Sequence, residues 1–395
     1  MQVCVVGQGY VGLPLAIAAA DAGYVVYGVD NDEEKIELLA MGKSIVEDVS
    51  DQVIRHSISL NRYTPTTDYG VIAQSQVVLI CVPTPLSEDH EPDLSALISA
   101  TKSVGINLKA GTLVIIESTI EPGTCRKVLL PILVHESGLD EVDFDLAYSP
   151  ERIDPTNKIW TINSTPKLVA GISERAVDNA GNFYGKFIAS IIKCSSLEIA
   201  ETAKLLENSF RLVNIAFIIE IAIFCRKIGI DVTEVISAAS TKPYGFMPFY
   251  PSIGIGGHCI PVDPIYLANA AKTVGAPSRF IDLADQINHE APEYFVNRAS
   301  EKLGGLKGKK ILIIGVSYKP NLSDTRETPV KLLISGMRQE GAEVHWHDDL
   351  VKFWNGEKSV ELNNHYDLAV LATPHDYIDL TKLGNVPVLN TRGSI

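Results

Sequence analysis

The stretch Gln2-Val3-Cys4-Val5-Val6-Gly7-Gln8-Gly9-Tyr10-Val11-Gly12 decides the fold of this chain. Residues 2–6 predict a short apolar strand, and the glycine-rich turn behind it predicts a helix running to about Ala22, stopped by Gly23. Residues 24–29 predict the next strand, ending at Asp30. This is the spacing of a dinucleotide-binding βαβ unit. Gly7 permits the tight turn, Gly9 the close approach of a pyrophosphate, and Gly12 the packing of helix on strand. Phosphate would sit on the helix N-terminus, in the loop that also holds Tyr10 and Val11. Asp30 is expected to accept from the ribose hydroxyls and repel a 2′-phosphate, which favours NAD over NADP. Lys35 is the nearest cation that could soften that preference.

Further strands are predicted at 77–82 and 113–117. They end in Pro83-Thr84-Pro85 and Ser118-Thr119, at the carboxyl edge where open α/β sheets bind ligands. A second α/β unit begins at Lys310, with strands at 311–314, 343–347, 368–372 and 386–389 and a helix at 328–339. Its glycine fingerprint is incomplete, because Gly315-Val316-Ser317 lacks the second glycine. The loop beyond carries Lys319, Asp324 and Arg326, which suits a nucleotide or diphosphate held by side chains, with arginine offering bidentate contacts.

Between the two units, Ser195-Ser196-Leu197-Glu198 reads as a capping box on a long helical segment. Lys204, Asn208 and Arg211 fall at i, i+4 and i+7 on it and share one face. That face is either a solvated stripe or a polar row lining a cleft. The apolar run 212–225 contains Asn214 and Glu220 and falls short of the roughly 20 residues that span a bilayer, so a core or interface helix is expected. Ile215, Ile218, Ile219, Ala222 and Ile223 supply more apolar face than one small helical domain obviously buries, which predicts a homodimer or higher homo-oligomer. Downstream, Gly254-Ile255-Gly256-Gly257-His258-Cys259-Ile260-Pro261-Val262-Asp263-Pro264 sets a thiol just before a predicted helix start. Asp263 is expected as N-cap and Pro264 at the first helical position. The helix dipole there favours thiolate, and the glycines leave room for a substrate at the backbone. On these residues alone, a nucleophile and a packed structural thiol fit equally well.

The expected fold is thus α/β: two Rossmann-like doubly wound domains, 1–194 and 301–395, joined by a central helical domain, 195–300. A net charge of −14 argues against a general nucleic-acid binder. The six cysteines are scattered without a CxxC pair, so neither a zinc site nor a disulfide framework is expected. With no signal-peptide pattern at the N-terminus, a reducing cytoplasm fits best and no membrane partner is expected.

Taken together, the motifs resemble the UDP-glucose/GDP-mannose dehydrogenase family along nearly the whole chain. They are Gly7-Gln8-Gly9-Tyr10-Val11-Gly12, Cys81-Val82-Pro83-Thr84-Pro85, Glu117-Ser118-Thr119, Tyr148-Ser149-Pro150-Glu151-Arg152, Gly256-Gly257-His258-Cys259-Ile260-Pro261, and Tyr318-Lys319-Pro320 with Asp324-Thr325-Arg326-Glu327. The resemblance implies oxidation of C6 of a nucleotide sugar from alcohol to acid, using two NAD per sugar. It implies that Cys259 captures the intermediate aldehyde as a thiohemiacetal, which a second hydride transfer turns into a thioester for water to cleave. Lys204 and Asn208 match a polar pair near the reacting oxygen, where a lysine stabilises developing oxyanion charge. Asp263 matches a general base or water-orienting residue, while Thr119 and Glu151 match residues that handle the catalytic water and protons.

By the same resemblance, Thr84, Ser118, Thr119 and Arg326 contact the cofactor. Lys319 lies by the substrate diphosphate, and Arg392 binds the uridine diphosphate part. Glu151, Arg152, Arg211, Phe249, Tyr250, Gly254 and Gly256 line the sugar site. His258 is read as a pocket residue rather than a base.

The segments 149–155 and 240–251 look most like the UDP-N-acetylglucosamine 6-dehydrogenases, Arg152 and the aromatic loop leaving room for a 2-acetamido group. UDP-glucose, UDP-N-acetylmannosamine and UDP-N-acetylgalactosamine are the alternatives. Ser252 and Thr156 stand where glycines are usual in that branch, and both stiffen substrate-facing loops. A simple β-hydroxyacid dehydrogenase would need neither the cysteine loop nor a second nucleotide unit. A binding protein that had lost catalysis would not need Cys259, Lys204, Asn208 and Asp263 together.

Overall fold

The computed structural model of the chain describes residues 1–153 and 159–392. Asp154, Pro155 and Thr156, in the substrate-facing segment, lie outside the described residues. The chain packs as two compact units, Met1–Leu206 and Glu207–Ile395.

The first unit is built on one sheet of β1 (Gln2–Val6), β2 (Val25–Val29), β3 (Tyr63–Thr66), β4 (Val77–Ile80), β5 (Leu113–Ile116), β6 (Asp145–Tyr148), β7 (Lys167–Gly171) and β8 (Ile191–Lys193). The order β3-β2-β1-β4-β5-β6-β7-β8 reverses direction across β1 and β4, and ligands bind outside the strand ends at such a switch point. Strands β4, β5 and β6 are buried at every position, as expected of parallel strands covered on both faces. β7 runs against its neighbour β6, pairing Ala147 with Gly171 and Tyr148 with Ala170, and β8 follows β7 in the same direction. The first residue of β7, Lys167, therefore arrives at the edge where the parallel strands end.

The second unit holds a parallel sheet in the order β10-β9-β13-β14, from β9 (Lys310–Ile314), β10 (Glu343–His347), β13 (Leu368–Leu371) and β14 (Val388–Asn390), with a small antiparallel pair, β11 (Phe353–Trp354) and β12 (Glu357–Lys358). Helices Val232–Ser240, Asp263–Thr273, Arg279–Leu303 and Val330–Gln339 belong to it. The elements agree with the expected ones to within a residue or two at most boundaries.

The incomplete fingerprint of the second unit repeats the turn of the first. Gly7 at φ +92° and Gly315 at φ +81° adopt the left-handed conformation that favours glycine. Each donates its amide over 2.8 Å to the last carbonyl of the neighbouring strand, Val29 and His347 respectively. The next amide then meets an aspartate: Gln8 N to Asp30 Oδ2 at 2.8 Å, Val316 N to Asp348 Oδ2 at 2.9 Å. In the second unit the aspartate is sealed. His375 Nδ1 accepts from the Asn321 amide at 2.9 Å, so its proton is on Nε2, which donates to Asp348 at 3.1 Å. Burial alone would raise Asp348, but the bonds from His375, Val316 and Val351 outweigh it and hold the carboxyl below its usual range.

Three expectations need correction here. The long helix Leu197–Lys227 has 31 residues and is apolar enough, by length and composition alone, to cross a membrane, because Asn214 and Glu220 do not interrupt it. It is capped by Ser196, whose Oγ accepts from Ile199 N at 3.3 Å, rather than by a box on Ser195. Glu198 instead accepts from Arg126 at 2.9 Å. Finally, Ile218 and Ile219 are buried, Ile218 against Cys225, Val232 and Ile236. The large apolar residues this helix exposes are Ile199, Leu206, Phe210, Phe217 and Phe224.

Candidate active site

The glycine turn behaves as its spacing demands. A Cβ at Gly7 would stand 2.7 Å from the Cys81 carbonyl oxygen, and one at Gly12 would run into the Gly7 carbonyl oxygen. A Cβ at Gly9 would meet nothing within 4 Å. Two glycines are therefore closed by backbone and the third is open, which fits a pyrophosphate seated on Gly9. Tyr10 beside it is exposed and Val11 half-buried. Asp30 is buried at the end of β2, its Oδ1 accepting from Asp32 N at 3.0 Å, with Lys35 Nζ 3.7 Å from Oδ2.

At the carboxyl ends of β4 to β6, Thr84 and Ser118 are buried and Thr119 half-buried. Ser118 Oγ donates to the Val82 carbonyl at 2.7 Å, tying the two strand-end loops together. Glu201, on the long helix, accepts from the amides of Gly123 at 2.5 Å and Cys125 at 3.1 Å, which anchors the segment after Thr119. Glu151 is mostly buried and accepts from the Ile153 amide, while Arg152 donates to the Pro166 carbonyl at 2.8 Å. Sequence reasoning missed the group behind Glu151. Lys167, buried, lies 2.5 Å from Glu117, whose other oxygen accepts from Tyr184 Oη. Only the charges in the motif Glu117-Ser118-Thr119 and in Lys167, a lysine opening an apolar strand, signalled it.

Lys204 and Asn208 stand one helical turn apart and are buried, whereas Arg211 is exposed. The polar row therefore splits: its first two members are not a solvated stripe, and the third is on the surface. Asn208 Nδ2 donates to Asp263 Oδ2 at 2.6 Å. This overturns Asp263 as helix cap. Val262 occupies the cap position in helical conformation, no side chain caps the helix there, and Asp263 is the first helical residue, 2% exposed. Its amide donates to the Cys259 carbonyl at 2.8 Å, so the chain already turns helically from Cys259 onward. A thiol at the head of such a turn is where the aligned amides favour thiolate. Of the six cysteines, all described, Cys259 is the exposed one.

The loop ahead of Cys259 is held by the second α/β sheet's own turn. Gly257 N donates to the Arg326 carbonyl at 3.1 Å, and Cβ atoms at Gly256 or Gly257 would come within 2.7 Å of Tyr318. Gly254 would meet the Asn288 carbonyl at 2.7 Å, and Ser252 Oγ donates to the Gly254 carbonyl at 2.8 Å. Burial, helped by the charge of Arg326, lowers the His258 pKa and keeps that imidazole neutral, in line with a pocket residue. Arg326 itself grips Asp324 through Nε and Nη2. Lys319 is half-buried, Arg392 exposed, and Tyr250 exposed beside a half-buried Phe249 that packs on Phe210 at 5.7 Å.

Comparison with known proteins matches three models of the UDP-glucose/GDP-mannose dehydrogenase family: its NAD binding domain at residues 1–188, its central domain at 198–290, and its UDP binding domain at 312–392. The UDP-N-acetyl-D-mannosamine dehydrogenase of Pyrococcus horikoshii is 36% identical over 384 residues, covering 95% of this chain and 90% of that protein. The UDP-N-acetyl-D-glucosamine 6-dehydrogenase of Pseudomonas aeruginosa is 34% identical over 388 residues, with 95% and 90% covered. A solved structure of the UDP-D-ManNAc dehydrogenase from Pyrococcus horikoshii aligns with TM-score 0.91 at 33% identity, covering 99% of this chain and 95% of that one.

Proposed function

The chain belongs to the UDP-glucose/GDP-mannose dehydrogenase family, an NAD-dependent oxidoreductase family, and from that premise we propose that it oxidises C6 of a UDP-N-acetylhexosamine to the uronic acid. UDP-N-acetylglucosamine is the first substrate to try, for the reasons given by Arg152 and the aromatic loop. The mannosamine epimer comes second, because a relative so named is 36% identical.

The observation that carries the reading is Cys259, an exposed thiol heading the turn whose first helical residue, Asp263, holds Asn208. NAD held by Gly7, Gly9, Gly12 and Asp30 would supply the hydride acceptor for the two oxidations at C6. Lys204 and Asn208 steady the C6 oxygen as its hydroxyl proton passes to the water that Glu151 and Thr119 handle. The Cys259 thiolate then adds to the aldehyde carbon, giving a thiohemiacetal whose oxygen Lys204 and Asn208 again hold. Loss of the second hydride and of the hydroxyl proton leaves a thioester. Water, deprotonated with the help of Glu151, Thr119 or Asp263, breaks the C–S bond and frees carboxylate and thiol.

The readout is NADH formed per sugar consumed across a panel of UDP-sugars. Two per sugar supports the reading, and one per sugar removes it. The exposed row Leu206, Phe210, Phe217 and Phe224 supports a homodimer, with a second copy covering that face. Six cysteines that form no disulfide support a cytoplasmic setting. The domain limits 1–194, 195–300 and 301–395 are proposed for the functional modules.

A further inference from the structure

We propose that Lys167 is a positioning residue for Glu151, and that the Glu117–Tyr184 pair exists to hold Lys167 in place. The proposal rests on the reading of Glu151 given above.

An ammonium taken out of water costs several kcal/mol, which its partners only partly repay, so a buried lysine needs a reason. Lys167 is 6% exposed. The antiparallel β7 delivers it to the end of the sheet where Glu117, just beyond β5, and Glu151, beyond β6, both stand. Its Nζ reaches Glu117 Oε2 at 2.5 Å, the Pro150 carbonyl at 3.3 Å and Glu151 Oε2 at 3.7 Å. Arg152 returns the contact by donating to the Pro166 carbonyl at 2.8 Å. The residues on either side of Glu151 are therefore cross-tied to 166 and 167, and a third tie runs from Ser149 Oγ to the Leu168 carbonyl at 2.7 Å. The Glu151 carboxylate is held from below by a cation and from its own loop by the Ile153 amide.

The groups around this cation sort cleanly. Burial, then the charge of Glu117, drives Cys81 and Tyr184 well above their usual values, so both stay protonated. Burial alone would lower Lys167, but the carboxylates of Glu117 and Glu151 outweigh it and keep the amine charged. The Tyr184 ring lies 5.3 Å from Nζ and covers the remaining side. Glu117 is thereby used up, one oxygen on Lys167 and the other on Tyr184. What the cluster presents outward is one ammonium aimed at Glu151.

The test compares Glu151→Gln, Lys167→Arg and the paired apolar replacement Lys167→Met with Glu117→Leu. The paired variant removes both charges together, so no buried ion is left alone. Each variant is assayed as full-length enzyme for thermal unfolding, NAD affinity, KM, kcat and the pH profile of kcat. The paired variant is expected to bind NAD and UDP-sugar as the parent does and to lose about tenfold or more in kcat, within the roughly 10²–10⁴-fold that a general acid or base supplies. Its pH profile of kcat should differ from the parent's, because the cation 3.7 Å from the Glu151 carboxylate is gone. Lys167→Arg should recover part of kcat. An unaltered kcat and pH profile in a folded paired variant, beside a crippled Glu151→Gln, overturns the positioning role alone. An unaltered Glu151→Gln removes the reading of Glu151 and this proposal with it. Should the paired variant fail to fold, Lys167→Gln decides: a lowered kcat with KM little changed supports the role, and an unaltered kcat overturns it.

Discussion

Asn208 and Asp263, 55 residues apart in sequence, meet through a single buried hydrogen bond of 2.6 Å. It ties the long helix to the first turn of the helix that Cys259 leads. The bond orients an amide and a carboxylate together, so each side chain sets the direction of the other. Exchanging them, Asn208→Asp with Asp263→Asn, restores a donor–acceptor pair but reverses which helix carries the charge. Either single variant is expected to lose about 1–3 kcal/mol of stability, the usual cost of a buried bond left unmade. The exchanged pair should recover stability in urea unfolding but not kcat. Recovery of both would make the bond purely structural.

Cys259→Ala is expected to abolish acid formation with NAD affinity nearly intact, since Gly7, Gly9, Gly12 and Asp30 belong to the other compact unit. Mass spectrometry of quenched reactions should find a sugar adduct on the parent and none on the variant. Continued turnover to acid by the alanine variant would falsify the covalent route.

The glycines of the first turn should separate by experiment. At Gly9 a methyl meets nothing within 4 Å, so Gly9→Ala should fold with parental Tm and bind NAD more weakly. At Gly12 it meets backbone, so Gly12→Ala should lower Tm by several degrees. Asp30→Ala should weaken NAD by about 1–3 kcal/mol and also loosen the turn, because Gln8 and Asp32 donate to that carboxylate. Calorimetry that found equal NAD affinity in Gly9→Ala and the parent would remove the pyrophosphate from Gly9.

Much of this was legible in the sequence for a physical reason. Glycine turns and buried parallel strands are local codes, and residues 2–30 spell one completely. Long-range choices were less visible. Nothing in the run 212–225 says that helix Val232–Ser240 covers Ile218 and leaves Phe217 outside. Asp263 looked like a cap because caps and hydrogen-bond acceptors use the same side chain, and only the fold brings Asn208 to it. Lys167 carried no motif at all, since its meaning comes from a strand that runs against β6.

The exposed phenylalanines predict assembly. Phe217→Glu, placing a charge on a residue 58% exposed, should leave Tm of the isolated chain nearly unchanged and shift light scattering from dimer toward monomer. A parent protein that is monomeric at micromolar concentration would refute the dimer directly.

Asp348 predicts the acid behaviour of the second unit. Its folded pKa lies below the unfolded value, so its contribution is fully present above about pH 4 and is lost as pH falls through the folded pKa. The Tm difference between the parent and Asp348→Asn should therefore be constant near neutrality and shrink on acidification. A difference that did not change with pH would mean that the charge contributes nothing.

Tyr318 packs against Gly256 and Gly257, so the wall of the cysteine loop is supplied from beyond residue 312, where a separate family module begins. Recombination between relatives to change the sugar accepted should therefore not cut at the module border near 290–312. A cassette from Glu207 onward would carry loop and wall together, whereas a splice between them would join a Gly256-Gly257 of one parent to the Tyr318 surroundings of another. Such a cassette moves the cysteine loop and its wall as one piece, while Glu151 and Arg152 stay with the first unit.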